Sequence, residues 1–555
     1  MKAVGLIMLV VLVIDAVSAA VFFRSVVMGG GAVMLLVALV LGMTLALRKR
    51  RLDVPARGWS LGRAVELSNP DQPVTQANAM ISGDILNLGL LALGSPGAGK
   101  TESVMLGYLS AMDEHSPRSG WALFEGKGDT DIYKKCVAMG RAPDHFFSSE
   151  LPGSQTTNLF VGEAHDVIDR LCKILIGTSK STSFYSDEQR AVLSRVIPLL
   201  RCLPVQTNLR DLYVALCDED AGAELLRRAR DAGVSAVDIS LASQWFDEDF
   251  TKRVKNIAGL LNRLFVFVSG PYADRLNAYQ PDIDINRAIE AQQSIYFHLP
   301  LTDFSRDVAI AFVELFAVEA RKRQLCGTEG IARYPLLFDD WGAFFHDGFR
   351  PFSARCRSAA MPLSFGFQSR AQLEAVSPTY ADELDDTIAT KIIMRVQGEA
   401  TADYAVRLLG HYDANDLSTS HAQNRSSDNL GVLRSYRIEP RDVRELQAGE
   451  AFVSTLSKSA RRTVNPLWKL RFPLPDFSGW KNVPMPIARE HAAGDGLHFW
   501  NRYMNPGALA GIHAATLDAE RRKQEQQCAE QETARQQARA TLAANPGLTL
   551  RAGEA

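Results

Sequence analysis

An eight-residue run near position 100 has the residue types and the spacing of a phosphate-binding loop. The run satisfies the pattern GxxxxGK[ST], and its members are Gly94, Ser95, Pro96, Gly97, Ala98, Gly99, Lys100 and Thr101. Glycines at these positions allow backbone N–H groups to turn toward phosphate oxygens. We expect Lys100 to reach the β- and γ-phosphates of a nucleotide and Thr101 to place its hydroxyl group on Mg²⁺. Glu102 follows directly and is assigned to the same nucleotide-contacting set.

The segments on either side of this loop are those that such a loop requires. The apolar run 88–93 precedes it and is typical of a buried strand, and a helical stretch follows it. The helix would add the positive end of its dipole to the anion site. A glycine-rich loop without a ligand is the alternative, which this context disfavours. The predicted cofactors are ATP and Mg²⁺.

Two acids at the end of a second apolar run are candidates for the metal and water positions. The run 334–338 predicts a strand, and Asp339 and Asp340 come directly after it. Phosphoryl-transfer enzymes of this kind hold Mg²⁺ with a carboxylate at the end of a neighbouring core strand. We assign that role to Asp339, and we assign to Asp340 the place where many such enzymes carry a glutamate that polarises the attacking water. An acidic turn without catalytic function is the competing interpretation.

A glutamine follows the next predicted strand. Gln368 comes after the apolar run 362–367, where its amide would sense the γ-phosphate or orient the water. Polar residues often end strands, so the assignment of Gln368 rests on its order and spacing after the loop and the two acids.

The order of apolar runs predicts an α/β fold with a helical insertion. Strand-like runs separated by helical patterns are typical of a parallel sheet with helices on both faces. We predict a nucleotide-binding domain in two parts, residues 81–161 and 290–475, interrupted by an all-helical domain, residues 162–289. Residues 52–80 are predicted to be a polar linker, and residues 476–555 a C-terminal tail that is helical or disordered.

The first 51 residues predict a membrane anchor. Residues 3–23 and 32–47 are almost wholly apolar, and each is long enough to cross or nearly cross a bilayer. Four basic residues, 48–51, follow the second span, which by the positive-inside bias places both ends of the hairpin in the cytoplasm. The expected location is the bacterial inner membrane, with two spans and the bulk of the chain cytoplasmic. A cleaved signal peptide is the alternative for the first span.

The composition excludes some classes of protein and leaves others open. The chain of 555 residues is 46% hydrophobic and has a formal net charge of −2, so overall charge does not indicate a nucleic-acid partner. Its seven cysteines include no CxxC pair, which argues against a zinc site or a disulfide framework. Two basic clusters, 227–230 and 252–255, are local candidates for DNA contact, although such clusters are more often solvated helix faces.

Taken together, these elements resemble the TraD/TraG family of type IV coupling proteins over roughly residues 1–470. The more particular signals are the run Phe124–Asp129 (FEGKGD), the run Gln368–Leu373 (QSRAQL) and the segment 440–453. The resemblance implies a RecA-like P-loop ATPase that assembles as a homo-hexameric ring at the inner membrane. It implies that single-stranded DNA is passed without sequence preference from relaxosome proteins to the type IV secretion channel during conjugation. It also implies an arginine supplied by the neighbouring subunit, for which Arg355 and Arg357 are the candidates.

The chain departs from the family pattern in two places, and alternative functions remain open. The family usually has Asp-Glu where this chain has Asp339 and Asp340, and the loop between the two predicted spans is short. A coupling ATPase that recruits protein effectors would have the same core. A membrane scaffold that binds ATP with little hydrolysis is compatible with the shorter second acid. A chromosome translocase of the FtsK type is a weaker alternative, since no DNA-reading domain is evident after residue 470.

Overall fold

The computed structural model describes most of the chain between residues 58 and 500. The described ranges are 58–68, 75–117, 119–176, 184–270, 272–327, 331–344, 349–374, 379–422, 425–456, 465–487 and 494–500. The predicted membrane hairpin, residues 1–51, lies outside them, as do residues 501–555 of the predicted tail. Among the described residues, the structure contains no helix with the length and apolar character needed to cross a bilayer.

One large sheet organises the described part of the chain. Its eleven strands are β1 (Gly58–Glu66), β2 (Thr75–Ser82), β3 (Leu90–Leu93), β4 (Ala122–Glu125), β5 (His145–Ser148), β6 (Ile295–His298), β7 (Leu336–Asp339), β8 (Leu363–Phe367), β9 (Thr390–Met394), β12 (Glu450–Ser454) and β13 (Leu467–Arg471). A separate antiparallel pair consists of β10 (His411–Ala422) and β11 (Arg425–Tyr436). The order across the large sheet is β2-β1-β13-β12-β9-β3-β8-β7-β4-β6-β5.

The middle of the sheet is parallel, and this decides where the functional side chains meet. The strands from β9 to β5 in that order run in one direction, whereas β12, β13 and β1 are joined by antiparallel pairing. Glu125 on β4 is level with Asp339 on β7, and Leu93 on β3 is level with Phe367 on β8. Because parallel strands end at the same edge, the phosphate-loop motif, the two acids and Gln368 are brought to one edge of the sheet. The predicted α/β class is confirmed.

Helices cover the sheet and fill the long connection between β5 and β6. Those that contact the sheet or border its loops are α1 (Gly83–Leu86), α2 (Leu106–Ser110), α3 (Met112–His115), α4 (Thr130–Ala138), α13 (Ile285–Glu290), α14 (Asp303–Cys326), α15 (Phe349–Cys356), α16 (Arg370–Glu374), α17 (Tyr380–Thr387), α18 (Glu399–Leu409) and α19 (Pro440–Arg444). Those of the long connection are α5 (Ala164–Leu171), α6 (Phe184–Arg201), α7 (Leu209–Cys217), α8 (Glu219–Asp231), α9 (Ala236–Phe246), α10 (Phe250–Asn256), α11 (Ala258–Ser269) and α12 (Ala273–Leu276). A π-helical segment, Lys100–Met105, leads into α2, and another, Cys172–Ile176, follows α5.

Each face of the sheet has its own hydrophobic core. One core contains the rings of Phe124, Phe297 and Phe338, which stack across β6, β4 and β7 with centroids 4.5 and 4.7 Å apart. The helices of residues 164–276 contribute to this same core. The second core holds the helix after the phosphate loop, where Trp59 meets Tyr108 edge-on at 5.7 Å. The insertion and the loop helix therefore pack on opposite faces of the sheet.

Two segments differ from what the sequence pattern predicts. Residues 52–80, predicted to be a linker, contain β1 and most of β2, because Trp59, Leu61 and Ala64 are buried against the sheet even though polar residues surround them. Residues 494–500 fall within the predicted tail, yet Phe499 is buried and its backbone N–H donates to Asp211 Oδ1 at 3.1 Å. Short strands and tethers of this kind are stabilised by tertiary contacts, which local composition does not report.

Gly120, just before β4, is closely surrounded by backbone atoms of residues 292 and 293. A Cβ atom there would lie 2.6 Å from the backbone carbon of Gln292 and 2.6 Å from the carbonyl oxygen of Gln293. We expect Gly120→Ala to lower the free energy of unfolding by about 1–3 kcal/mol, because backbone atoms cannot easily yield. Urea denaturation of the full-length chain measures the effect.

Gly107 on α2 supplies the matched control. Its Cβ would meet only Trp59 Cζ2, at 3.5 Å, which is ordinary van der Waals contact. Gly107→Ala should leave stability unchanged or raise it by about 0.5–1 kcal/mol, since alanine suits a helix interior better than glycine. Equal destabilisation by the two substitutions would contradict the described packing at Gly120.

Candidate nucleotide-binding site

The phosphate-loop motif forms a tight turn between β3 and the helix that follows. The backbone N–H of Gly94 donates to Phe367 O at 3.1 Å, and that of Ser95 donates to Arg395 O at 2.8 Å, which ties the loop to the two strands beside β3. Gly97 and Gly99 have φ values of +73° and +102°, which side chains disfavour. The turn thus depends on glycine at the positions that the motif specifies.

Lys100 is folded onto the loop that precedes it. Its Nζ donates to Gly94 O at 2.5 Å and to Ser95 O at 3.3 Å, and the residue is only 4% exposed. The pKa of Lys100 is lowered to about 8, mainly by burial and also by the nearby Lys127, while Asp339 partly opposes the shift. The ammonium group therefore lies in a site where an added anion would stabilise its charged form.

Thr101 and Asp339 are in direct contact although 238 positions separate them. The Thr101 hydroxyl group donates to Asp339 Oδ2 at 2.7 Å. Asp339 is fully buried, and its Oδ1 has no hydrogen-bond partner among the described residues. A hydroxyl group and a buried carboxylate with a free oxygen are ligands that suit Mg²⁺, so these residues fit the metal that the motif implies.

Asp340 is held by two neighbours. Its Oδ1 accepts a hydrogen bond from Gln368 Nε2 at 3.1 Å, and its Oδ2 forms an ion pair with Lys127. The backbone of Asp340 is left-handed, with φ at +47°, so the chain turns sharply as it leaves β7. Gln368 is itself positioned by Gln372, whose Oε1 accepts from the Gln368 N–H at 2.9 Å. Asp340 and Gln368 meet beside Asp339, as their places at the strand ends predict.

Glu125, at the end of β4, organises the loop that carries Lys127. Its carboxylate accepts the backbone N–H groups of Lys127 at 2.7 Å, Gly128 at 2.8 Å and Asp129 at 3.0 Å. Burial raises the pKa of Glu125 to about 8; the amide donors oppose the shift and Asp339 adds to it. The sequence pattern drew attention to the run 124–129 but assigned no role to Glu125 or Lys127. A carboxylate at a strand end, four residues before a helix N-cap, is the signal that identifies such a loop.

A cleft of about 270 Å³ opens beside the phosphate loop. It is lined by Pro96, Gly97, Gly99, Lys100, Thr101, Glu102, Lys127, Asp129, Ile132 and Lys135. On its rim Lys135 pairs with Glu102 at 2.5 Å and lies 4.8 Å from the centre of the Trp480 ring. Glu102 thus borders the cleft through an ion pair with α4. Three lysines face a volume that suits a phosphate-bearing ligand.

The two candidate arginines are not at this cleft. Arg355 and Arg357 are exposed, and the backbone oxygen of Arg357 lies 3.5 Å from Asn87 Nδ2. Asn87 precedes β3, so this contact is at the amino ends of the parallel strands, opposite the phosphate loop. Within one chain neither arginine approaches the site.

The basic clusters of the helical region are partly engaged in structural contacts. Arg227 and Arg228 both pair with Glu224, at 2.9 and 2.7 Å. Arg253 is buried, donates to Phe246 O and packs over aromatic rings. Arg253 is therefore not at the surface, whereas Arg227, Arg230, Lys252 and Lys255 are exposed.

Comparison with known proteins places this site in a family context. A family model described as the TraM recognition site of TraD and TraG matches residues 339–448. The resemblance to TraD/TraG-type coupling proteins is confirmed. The matched region begins at Asp339 and includes Gln368, so it contains the second half of the candidate site.

Solved structures of conjugative coupling proteins share the fold of this chain. The unbound bacterial conjugative coupling protein TrwBΔN70 has a TM-score of 0.51 at 13% identity, covering 80% of this chain and 99% of TrwBΔN70. The plasmid coupling protein TrwB in complex with ADP and Mg²⁺ has a TM-score of 0.50 at 13% identity, covering 78% and 97%. Among curated proteins no match is found.

The raised pKa of Glu125 predicts a pH dependence of stability. The folded value, about 8, exceeds the ordinary value of 4.5, so the folded chain binds this proton more tightly. The resulting stabilisation is complete below the ordinary pKa and is lost as the pH rises through the folded pKa. We expect the wild type to lose stability relative to Glu125→Gln between pH 5 and pH 8. Urea denaturation of both proteins across this range measures the difference; a gap that stays constant, or that grows in favour of the wild type, would contradict it.

Proposed function

We propose that this chain is a P-loop ATPase of the TraD/TraG coupling type, which uses ATP and Mg²⁺ to deliver DNA into a type IV secretion channel. The observation that carries the enzymatic part is the contact between Thr101 and Asp339 beside the buried Lys100. Two metal-binding groups and a phosphate-binding lysine, drawn from distant parts of the chain, meet at one cleft. This is the minimum that nucleotide-dependent phosphoryl transfer requires.

Each residue of the site has a defined part in this proposal. Lys100 and the amides of residues 94–99 bind the phosphates, and Thr101 and Asp339 hold Mg²⁺, which neutralises charge on the phosphates when bound. Asp340 and Gln368 lie together, where a carboxylate and an amide are suited to orienting a water molecule. The TrwB structure in complex with ADP and Mg²⁺ supports the choice of cofactor.

The coupling part of the proposal rests on the family resemblance. We infer that residues 1–51 anchor the chain in the bacterial inner membrane and that six copies form a ring through which single-stranded DNA passes. The description of the matched family, a TraM recognition site, supports docking of relaxosome proteins on residues 339–448. Since Arg355 and Arg357 lie away from the cleft of their own chain, either one would act at the cleft of a neighbouring copy in the ring.

Lys100→Ala tests the enzymatic assignment. Removing the ammonium group should lower ATP turnover by about 100-fold or more, because the charge on the transferring phosphate loses a fixed partner. Turnover of the full-length chain is measured with and without single-stranded and double-stranded DNA. Lys134→Ala is the control, since Lys134 lies on α4 and pairs only weakly with Asp131, at 3.8 Å. Unchanged turnover in Lys100→Ala would remove the site assignment, and stimulation by DNA would support DNA over protein as cargo.

A scaffold that binds ATP without hydrolysing it is the second candidate, because both Asp340 oxygens are engaged by Gln368 and Lys127. Asp340→Asn separates the two functions. For a motor we expect turnover to fall by about 100-fold while ATP binding is retained. A wild type that binds ATP but shows no DNA-stimulated turnover would favour the scaffold.

A further inference from the structure

Lys127 lies between the candidate nucleotide cleft and the two acids at the end of β7. Its Nζ forms an ion pair with Asp340 and lies 4.0 Å from Asp339 Oδ2. The acids are nearly or fully buried, whereas the Lys127 side chain is 43% exposed and lines the cleft. The Lys127 ammonium group therefore lies next to both Asp339, which is assigned to the metal, and Asp340, which is assigned to the water. It approaches them from the side that a ligand would enter.

The backbone that carries Lys127 is fixed by its surroundings. Three consecutive N–H groups donate to the buried Glu125 carboxylate. Gly128 has φ at +79°, and a Cβ there would lie 3.0 Å from Pro300 Cβ. The loop is thus clamped on one side by Glu125 and packed on the other against Pro300. Any response of Lys127 to a ligand has to occur in its side chain, which is long and 43% exposed.

The other lysines of the cleft have different partners. Lys100 donates to carbonyl oxygens of the phosphate loop, so its contacts are neutral groups. Lys135 pairs with Glu102 on the rim and stacks over Trp480. Among the described residues that line the cleft, Lys127 is the lysine that pairs with the acids following β7. An anion entering the cleft would compete with Asp340 for this particular cation.

We propose that Lys127 distinguishes a nucleoside triphosphate from a diphosphate by exchanging Asp340 for the terminal phosphate. Without that phosphate, Lys127 holds Asp340 in an ion pair, and Asp340 is engaged through both oxygens. With it, the ammonium group moves to the new anion and leaves Asp340 bonded to Gln368 alone, free to orient water. The inference rests on the proposed nucleotide function and adds a reason why the second acid is inactive until a triphosphate is bound.

Electrostatics favours the exchange. The Lys127 side chain is 43% exposed, so solvent screens its attraction to the nearly buried Asp340. A phosphate group offers more charge than one carboxylate and three strong acceptor oxygens, so it competes well for the ammonium group. A purely structural ion pair would instead be expected to stabilise the loop, and Glu125 already performs that task through three hydrogen bonds.

Binding measurements separate this proposal from a structural role. The dissociation constants of a non-hydrolysable ATP analogue and of ADP, each with Mg²⁺, are determined by calorimetry on the full-length chain. Lys127→Ala should weaken binding of the analogue by about tenfold or more, the loss expected for one charge-assisted hydrogen bond, and leave ADP binding within about twofold. Lys127→Arg should retain most of the preference for the analogue, since it keeps the charge.

Lys134→Ala, on the neighbouring helix α4, is the matched control and should change neither constant. The thermal midpoint of each variant reports whether it is folded. Equal weakening of both ligands, or no change in either, by Lys127→Ala would overturn the inference while leaving the proposed function intact. Failure of the wild type to bind either nucleotide would overturn both.

Discussion

The hydrogen bond between the Thr101 hydroxyl group and the Asp339 carboxylate is the contact on which the candidate site depends. It exists because β3 and β7 are parallel strands of one sheet, separated by β8, and end at the same edge. A fully buried carboxylate is costly unless it is paired, and within the part of the chain that the structure describes Asp339 retains one oxygen without a hydrogen-bond partner. This buried carboxylate oxygen without a hydrogen bond, next to a phosphate-binding loop, is the strongest physical indication that a cation binds there.

Charge balance at this edge is achieved by a small group of alternating acids and bases. Glu125, Asp339 and Asp340 are buried acids, and Lys100 and Lys127 are the cations near them. Burial and mutual repulsion shift the pKa of Glu125 upward and that of Lys100 downward, so the cluster favours the arrival of new charges. Such strained electrostatics are typical of sites that bind charged ligands and are hard to explain in a purely structural sheet edge.

The rest of the chain supports this edge from two sides. The Phe124, Phe297 and Phe338 stack holds β4, β6 and β7 in register beneath the acids. The helical region shares that core, and the segment after β13 borders the cleft at Trp480 before it reaches the helical region at Phe499. The strands that carry the acids and the helical insertion therefore share one core.

By itself the sequence determined the local features: the GxxxxGK[ST] turn, the apolar runs that became β3, β7 and β8, and the presence of polar residues after Leu93, Phe338 and Phe367. These follow from short-range chemistry, because glycine permits the turn and continuous apolar runs favour buried parallel strands. Tertiary structure alone decided that Lys127 faces Asp340. It also decided that β1 pairs with the large sheet and that Phe499 is buried. These contacts join groups that are tens or hundreds of positions apart in the chain. The local sequence around a carboxylate or a lysine does not identify its distant partner.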